Sequence, residues 1–365
     1  MTNSTTKMKK IIKWALIVIV VLLLLPILFF GICHLIYSGS ADNEVVEYLQ
    51  KNSCSIAEDN YRVPNGFIEA PKSGKTNIFI FSEIHGFSPS LPFSAELFIH
   101  LNKEYGVRNF CIEMCDGPTK ALRSLMADGS IAEQKLQTEL RKIAKQNEPN
   151  IPQWNTEDFV EMFRRLHKYN ISLPDSSRIH FYGLVGNSPS DKGREDRMTS
   201  NMLQIVRTDS AQGTKDQLYY CYVGHGHGFA GPLADSEGKY FAFAGRLSQQ
   251  GYNVRVMMQY AVDSEMYMPK AYIPFAPDDE KTTLACSDGL SGMASLKSVT
   301  QEQSLTLFRL DGKDSPYAKS TDLVFAEGPL ASMFSGSFKV PEGYHTTDYF
   351  QYLFLIRGHK APKFK

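Results

Sequence analysis

The segment 77–86, Asn-Ile-Phe-Ile-Phe-Ser-Glu-Ile-His-Gly, constrains the fold more than any other part of the sequence. Its four consecutive apolar residues, 78–81, are typical of a short strand buried on both faces. The strand pattern then stops at a polar turn that contains Glu83 and His85. Side chains two residues apart lie on the same side of an extended chain, so we expect Glu83 and His85 to share a site while Gly86 lets the backbone turn. The alternative is that Glu83 caps the next helix and His85 is an ordinary loop histidine.

A second apolar strand, 107–114, also ends near an acid, Glu113. Between the two strands, apolar residues recur at helical spacing from Pro92, and Gly106 ends that helix. A strand, helix and strand in this order form a parallel pair, whose carboxyl ends meet at the same edge of a sheet. We therefore expect Glu113 to lie beside Glu83 and His85, at the edge where open α/β folds bind ligands.

The rest of the chain continues the alternation of strands and helices. Thr156 is a predicted helix N-cap, and a charged, helix-favouring segment, 119–147, is predicted to form an insertion over the site. Further strands are predicted at 179–183, 218–224, 253–260, 304–309 and 348–356, and further helices at 156–169, 191–207 and 239–250. The sequence thus predicts an α/β domain over 66–365, with a mainly parallel central sheet, flanking helices and a helical insertion.

Two histidines follow the strand at 218–224 in the sequence Gly-His-Gly-His-Gly. Glycines remove side chains that would block approach, and His225 and His227, two residues apart, can face one cavity. The alternative is a flexible loop without a ligand. Arg194, early in a predicted helix, could also point into the site, although a solvated surface charge is the commoner case.

The amino terminus predicts a membrane anchor. Lysines at 7, 9, 10 and 13 precede 14–33, a run without charged residues that is long enough, at about 1.5 Å per residue, to span a bilayer core of roughly 30 Å. A cleaved signal peptide is the alternative, but its apolar region is shorter and ends at a small-residue site, which this segment lacks. We predict a cytoplasmic basic tail at 1–10, a transmembrane helix at 11–36 and a spacer at 37–65. The lysines favour a cytoplasmic amino terminus and a domain on the outer side.

Charge and cysteine content exclude other classes. Lys+Arg and Asp+Glu both number 39, so no overall field points to nucleic acid as a partner. One of the six cysteines lies in the apolar run, and the other five are too few and too scattered for a disulfide scaffold. We interpret Cys111 and Cys115 as buried apolar residues rather than as part of a zinc site.

Two kinds of chemistry fit these residues. In the first, neutral His85 removes a proton from water, Glu83 or Glu113 fixes its tautomer, and His227 or Arg194 stabilises the oxyanion that forms at an acyl centre. No Gly-x-Ser-x-Gly elbow is present, which disfavours a serine nucleophile. In the second, a divalent metal that activates water is held by residues from separate strand ends, namely His85, His225, His227 and Glu113. The spacing of these residues leaves both possibilities open.

The sequence resembles the erythromycin-esterase-like and ChaN-like superfamily. The matching features occur in one order along the chain: the turn at 82–86, Glu113, Trp154 ahead of a helix, Arg194-Glu195 followed by Met198, and the Gly-His-Gly-His motif at 224–227. The chain departs from the family pattern at Ser82, where glycine is usual, and at Thr199, where an alanine-like residue is usual.

This resemblance implies an α/β fold with His85 as catalytic base, Glu83 and Glu113 as its acidic companions, and Arg194 and His227 as partners. It implies a hydrolase that acts on an ester or related acyl bond of a small molecule or peptide. Because the family also includes metal-dependent peptidases and haem-binding lipoproteins, two alternatives remain: a peptidase-like metal hydrolase, and a haem- or metal-binding surface protein without turnover.

Overall fold

A large, mainly parallel sheet forms the centre of the molecule in a computed structural model. The structure describes residues 40–190, 192–211, 217–235, 238–267, 282–283, 290–324 and 339–363, together with eight separate positions between 13 and 32. The strands are, in chain order, β1 (Ser53–Ile56), β2 (Asn77–Glu83), β3 (Asn109–Ile112), β4 (His180–Gly183), β5 (Leu218–Gly224), β6 (Leu233–Asp235), β7 (Gly238–Tyr240), β8 (Asn253–Val262), β9 (Glu265–Met266), β10 (Thr282–Thr283), β11 (Ser304–Arg309) and β12 (Tyr352–Arg357).

Eight of these strands form the main sheet in the order β1-β11-β12-β8-β2-β5-β3-β4. The six strands from β12 to β4 are parallel, and β11 is antiparallel to both of its neighbours. Strands β6 and β7, and strands β9 and β10, form two small antiparallel ribbons. The carboxyl ends of β2, β5 and β3 therefore lie side by side at one edge of the sheet.

Helices cover both faces of the sheet. They are α1 (Asn43–Lys51), α2 (Ser90–Tyr105), α3 (Asp116–Ala127), α4 (Glu133–Asn147), α5 (Glu157–Ser172), α6 (Arg194–Ala211), α7 (Phe243–Gln249), α8 (Met293–Ser298) and α9 (Thr346–Tyr349). Alternate residues of β2 enter separate cores, with Phe79 and Phe81 facing α2 to α5, and Ile78 and Ile80 facing α1, α6, α7 and α8. All seven residues of β2 are buried, as the unbroken apolar run predicts for a central strand.

Several predicted elements are confirmed at the level of single residues. Helix α2 ends at Gly106, which adopts the left-handed conformation that favours glycine. Thr156 caps α5, because its hydroxyl accepts a hydrogen bond from the backbone N–H of Phe159 at 3.4 Å. The predicted strand at 304–309 coincides with β11.

The structure also corrects three expectations. Strands β2 and β3 are parallel but not neighbours, because β5 lies between them. The predicted helix at 239–250 begins only at Phe243, since its first residues belong to β7. The charged segment 119–147 forms α3 and α4, which pack with α5 in the layer on one face of the sheet rather than as a separate insertion.

The predicted spacer at 37–65 contains parts of the domain itself. Strand β1 pairs with β11 at the edge of the main sheet, and Tyr48 and Leu49 of α1 are buried in the core. The segment resembles a linker in sequence because it is polar overall and its apolar residues, such as Ile56, Tyr61 and Val63, are too scattered to form a long periodic pattern.

The predicted transmembrane helix at 11–36 lies mostly outside the described residues. Among the residues that the structure does describe, no helix combines the length and the apolar character needed to cross a bilayer.

Leu49→Ala tests whether α1 is part of the folded domain. Leu49 is fully buried, and truncation of a buried leucine costs about 2–5 kcal/mol of the free energy of unfolding. Lys51→Ala, in the same helix but with an exposed side chain, is the matched control and should change it by less than about 0.5 kcal/mol. Urea unfolding followed by tryptophan fluorescence measures both, and equal stability of the two variants would mean that the segment is a spacer.

Candidate active site

His85 is oriented by a buried carboxylate. Its Nδ1 donates to Oε1 of Glu83 at 2.7 Å, and the same oxygen accepts a hydrogen bond from the indole N–H of Trp154. The Trp154 ring meets the imidazole edge-on, with 5.5 Å between ring centroids. The side chain of His85 is 21% exposed, whereas that of Glu83 is 1% exposed. The sequence prediction that Glu83 and His85 meet is confirmed, and the proton of a neutral His85 ring is placed on Nδ1.

Tyr222 completes the buried wall behind Glu83. Its ring stacks on Trp154, with 5.4 Å between centroids and 22° between planes. Burial, and then the negative charge of Glu83, raise the pKa of Tyr222 well above its usual range. Tyr222 therefore stays a neutral phenol. Among the residues described, Glu83 is the only carboxylate in contact with Nδ1 of His85.

Gly224, the last residue of β5, lies between His85 and a second carboxylate, Glu113, and we call the position of its missing side chain the gap at Gly224. A Cβ atom at this position would lie 2.7 Å from Nε2 of His85 and 3.2 Å from Oε2 of Glu113. Because β5 lies between β2 and β3, a side chain here would separate the two groups. The missing side chain at Gly224 lets His85 and Glu113 act on the same small volume.

Glu113 is a buried carboxylate with three donors. Its Oε2 accepts the backbone N–H of Gly224 at 2.7 Å, and its Oε1 accepts Nη1 of Arg194 at 2.8 Å and lies 3.2 Å from Nε2 of His227. Burial by itself raises the pKa of Glu113, but the charge and hydrogen bond of His227 and the N–H of Gly224 hold it well below its usual range. Glu113 is therefore ionised across the physiological pH range.

His227 lies between two carboxylates. Its Nδ1 is 2.5 Å from Oε1 of Glu195, and its Nε2 faces Glu113. Burial by itself lowers the pKa of His227, but Glu113 and Glu195 raise it to about 10. Since both ring nitrogens must carry a proton to satisfy two carboxylates, His227 is an imidazolium and cannot serve as a base.

His225 differs from its neighbour in the same motif. Its ring packs against Phe229 and Tyr260, with centroid distances of 5.2 and 5.3 Å. Its Nε2 is buried without a hydrogen-bond partner among the described residues. Burial, and then the charge of His85, lower the pKa of His225 to about 4. His225 is therefore neutral at physiological pH.

A set of buried contacts fixes the turn that carries His85. The side-chain oxygen of Gln259, on the neighbouring strand β8, accepts the N–H of Ile84 and the hydroxyl of Ser90, each at 3.0 Å. The N–H of Tyr267 donates to the carbonyl of Gly86 at 2.8 Å. Gly86 has φ of 95°, and a Cβ there would lie 2.2 Å from the carbonyl oxygen of Tyr267. Glycine is thus required at this turn, as the sequence predicts.

Ser82 joins the two strand ends on the other face. Its hydroxyl donates to the carbonyl of Gly224 at 3.0 Å and lies 3.2 Å from that of His225. A Cβ on Gly228 would lie 2.2 Å from the Ser82 hydroxyl oxygen, so the last glycine of the motif is needed to let the two segments approach.

All six residues singled out from the sequence, namely Glu83, His85, Glu113, Arg194, His225 and His227, lie at the edge of the sheet that contains the carboxyl ends of β2, β5 and β3. We call it the catalytic edge after these candidate catalytic residues. Glu195 and Gln259 were missed as site residues. Glu195 is adjacent to Arg194 in a charged helix, and its place in the Arg194-Glu195 pair of the family pattern was the available signal. Gln259 lies in a buried strand, and a polar residue within an apolar run, Val-Met-Met-Gln-Tyr-Ala-Val, was the available signal.

The predicted metal ligands do not fit a metal ion in this arrangement. His227 and Glu113 use their nitrogens and oxygens on each other and on Glu195, Arg194 and Gly224. Within the described ranges, no three histidine, cysteine, aspartate or glutamate side chains form a group that could hold a metal.

The fold is similar to that of solved structures. A Bacillus cereus protein matches with a TM-score of 0.56 and 11% identity, covering 87% of this chain and 97% of that one. A succinoglycan biosynthesis protein matches with a TM-score of 0.58 and 13% identity, and the match covers 88% of this chain and 98% of that one. An erythromycin esterase mutant in its open conformation gives a TM-score of 0.46 and 9% identity, covering 80% and 92%. No family model and no curated protein matches the sequence. At these identities the first two likenesses establish the fold alone.

His227→Gln tests the imidazolium through stability. The pKa of His227 is higher in the folded protein, at about 10, than in the unfolded chain, at about 6.5. The stabilisation is therefore complete below about pH 6.5 and is lost as the pH rises toward 10, by about 1.4 kcal/mol per pH unit for one proton.

Urea unfolding at several pH values between 6.5 and 10 measures this slope. The free energy of unfolding should fall more steeply with pH in wild type than in His227→Gln, and the difference in slope should correspond to about one proton. His180→Gln, which changes an exposed histidine of β4, should keep the wild-type slope. Identical slopes in wild type and His227→Gln would show that His227 is not held in the charged form.

Proposed function

We propose that the protein is a membrane-anchored hydrolase in which His85 activates water for attack on an ester or related acyl bond. The observation that carries the proposal is the contact of His85 Nδ1 with Glu83, which leaves Nε2 with the lone pair on the side of the gap at Gly224. A neutral imidazole with a free lone pair is suited to general base catalysis near neutral pH. The partly exposed ring also gives water and substrate access to the base.

The proton transfers follow from the contacts of His85. Nε2 takes a proton from water as the water oxygen attacks the acyl carbon, and the ring becomes an imidazolium. The Glu83 carboxylate, 2.7 Å from Nδ1, stabilises this positive charge and holds the ring plane. Nε2 then returns its proton to the leaving alkoxide, so that the base is restored and the acyl group leaves as a carboxylic acid.

The cations of the site act on the oxyanion through their charge. Both ring nitrogens of His227 face carboxylates, and Nη1 and Nη2 of Arg194 donate to Glu113 and to the carbonyl of Pro189. Their positive charges balance the carboxylates of Glu113 and Glu195, and so reduce the repulsion that Glu113 would exert on a developing oxyanion.

The membrane anchor is part of the proposal. The described side chains of the amino-terminal run include large apolar residues with high exposure, such as Trp14 at 63% and Leu28 at 61%. Exposed apolar groups along an uncharged segment are best accounted for by a lipid environment. The lysines that precede the run favour a cytoplasmic amino terminus, with the hydrolase domain on the outer side.

His85→Ala tests the base. Hydrolysis of 4-methylumbelliferyl acetate should fall by about 10²–10⁴-fold, which is the usual contribution of a general base. Glu83→Gln, which keeps an acceptor for Nδ1 but removes the charge, should give an intermediate loss. His180→Ala is the control and should retain wild-type activity, and a chelator should not change the rate. An active His85→Ala variant would refute the proposed mechanism.

Gly224→Ala tests the gap. The added methyl would lie 2.7 Å from Nε2 of His85, so that the ring must move, and a displacement of about 1 Å can cost about 10²-fold in rate. Gly226→Ala is a matched control in the same motif, because no atom lies within 4 Å of its added Cβ. Steady-state kinetics of both variants should show the loss only at position 224, and equal activities would mean that the reaction does not use this space.

A further inference from the structure

The folded domain begins next to α8. The backbone N–H of Asp42, directly before α1, donates to the hydroxyl of Ser295 in α8 at 3.0 Å. The chain that comes from the predicted anchor therefore joins the domain at this point. The position of α8 relative to the sheet decides which edge of the domain lies nearest the anchor.

Helix α8 is held at the catalytic edge. Lys297 Nζ donates to Oδ1 of Asp263 at 2.8 Å, and Asp263 directly follows the last residue of β8. Arg357, the last residue of β12, donates from Nη1 to the carbonyls of Lys297 at 2.6 Å and Thr300 at 2.5 Å. Strands β8 and β12 are parallel to β2. Their carboxyl ends, and hence α8, belong to the same edge as Glu83.

The direction of α1 agrees with this placement. The Tyr48 hydroxyl, near the end of α1, donates to the carbonyl of Arg309 at 3.0 Å. Arg309 ends the antiparallel strand β11 and is paired with Tyr352, the first residue of β12. Helix α1 therefore runs from the catalytic edge toward the opposite one, and its amino-terminal end is on the side of the active site.

The length of chain between anchor and domain is short. The predicted transmembrane helix ends at 36, and six residues later Asp42 is bonded to α8. At about 3.3–3.6 Å per residue, these six residues reach at most about 20 Å. The membrane surface is thus kept within about 20 Å of a point on the catalytic edge.

We propose that the catalytic edge faces the membrane and that the substrate is an amphiphilic ester drawn from the outer leaflet of the bilayer. This inference rests on the proposed function, including the anchor at 11–36. The same edge carries the base, the gap at Gly224 and the junction with the anchor, so a substrate embedded in lipid reaches His85 without leaving the surface. A water-soluble ester gains nothing from this arrangement.

The orientation is tested on the full chain in phosphatidylcholine vesicles that contain a rhodamine-labelled lipid. A donor fluorophore is attached at Gly226→Cys, in the site loop, or at Lys75→Cys, before β2 at the opposite edge; both positions are exposed. Wild type, labelled in the same way, corrects for the native cysteines. Energy transfer to the lipid should be at least about twofold more efficient from position 226, since transfer falls steeply with distance and the two edges are a strand length of about 20 Å apart. Equal transfer, stronger transfer from position 75, or failure of the chain to float with the vesicles would overturn the proposal.

The substrate class is tested with 4-methylumbelliferyl palmitate in the vesicles and 4-methylumbelliferyl acetate in solution. A flexible 30-residue Gly/Ser insertion between Ser40 and Ala41, both exposed, lengthens the tether without touching the site. It should lower hydrolysis of the palmitate at least about fivefold relative to the acetate, because the effective concentration at the surface falls with linker length. An unchanged ratio would overturn the substrate class. If neither ester is hydrolysed, the proposed function fails, while the energy-transfer result still decides the orientation.

Discussion

The site depends on the pairing of buried carboxylates with histidines, because an unpaired ionised group in a dry interior is strongly unfavourable. Glu83 is compensated by the N–H groups of His85 and Trp154. Glu113 is compensated by the charges of Arg194 and His227 and by a backbone N–H. Each carboxylate therefore fixes a different histidine. Glu83 orients His85 through Nδ1, while Glu113, together with Glu195, holds His227 as a cation.

This division of roles follows from the arrangement of three strands. The ends of β2 and β3 deliver Glu83 and Glu113, while β5, which lies between them, ends in a glycine. A larger residue at Gly224 would fill the volume that His85 and Glu113 share. The fold thus places the two acids on the strands that flank β5, with no side chain between them at Gly224. With a side chain at position 224, the same fold would still hold Glu83 and Glu113, but the side chain would fill the gap between His85 and Glu113.

Much of this could be predicted from the sequence. Short, continuously apolar strands identify the parallel sheet, and period-2 geometry places Glu83 beside His85 because that contact is local. Gly106 and Thr156 mark helix ends for reasons that depend only on nearby backbone. The insertion of β5 between β2 and β3 could not be predicted, because strand order depends on long-range packing. Likewise, Gly224, Glu195 and Gln259 acquire their roles only from neighbours more than 30 residues away.

The central claim is that Glu83 holds the ring proton of His85 on Nδ1, whereas Glu113 and Glu195 together keep both ring nitrogens of His227 protonated. Long-range ¹H–¹⁵N correlation spectra of the imidazole rings at pH 8, assigned with His85→Ala and His227→Gln, measure this directly. The account predicts that the neutral ring of His85 carries its proton on Nδ1 and that both nitrogens of His227 are protonated. A proton on Nε2 of neutral His85, or a neutral His227 ring at this pH, would contradict it.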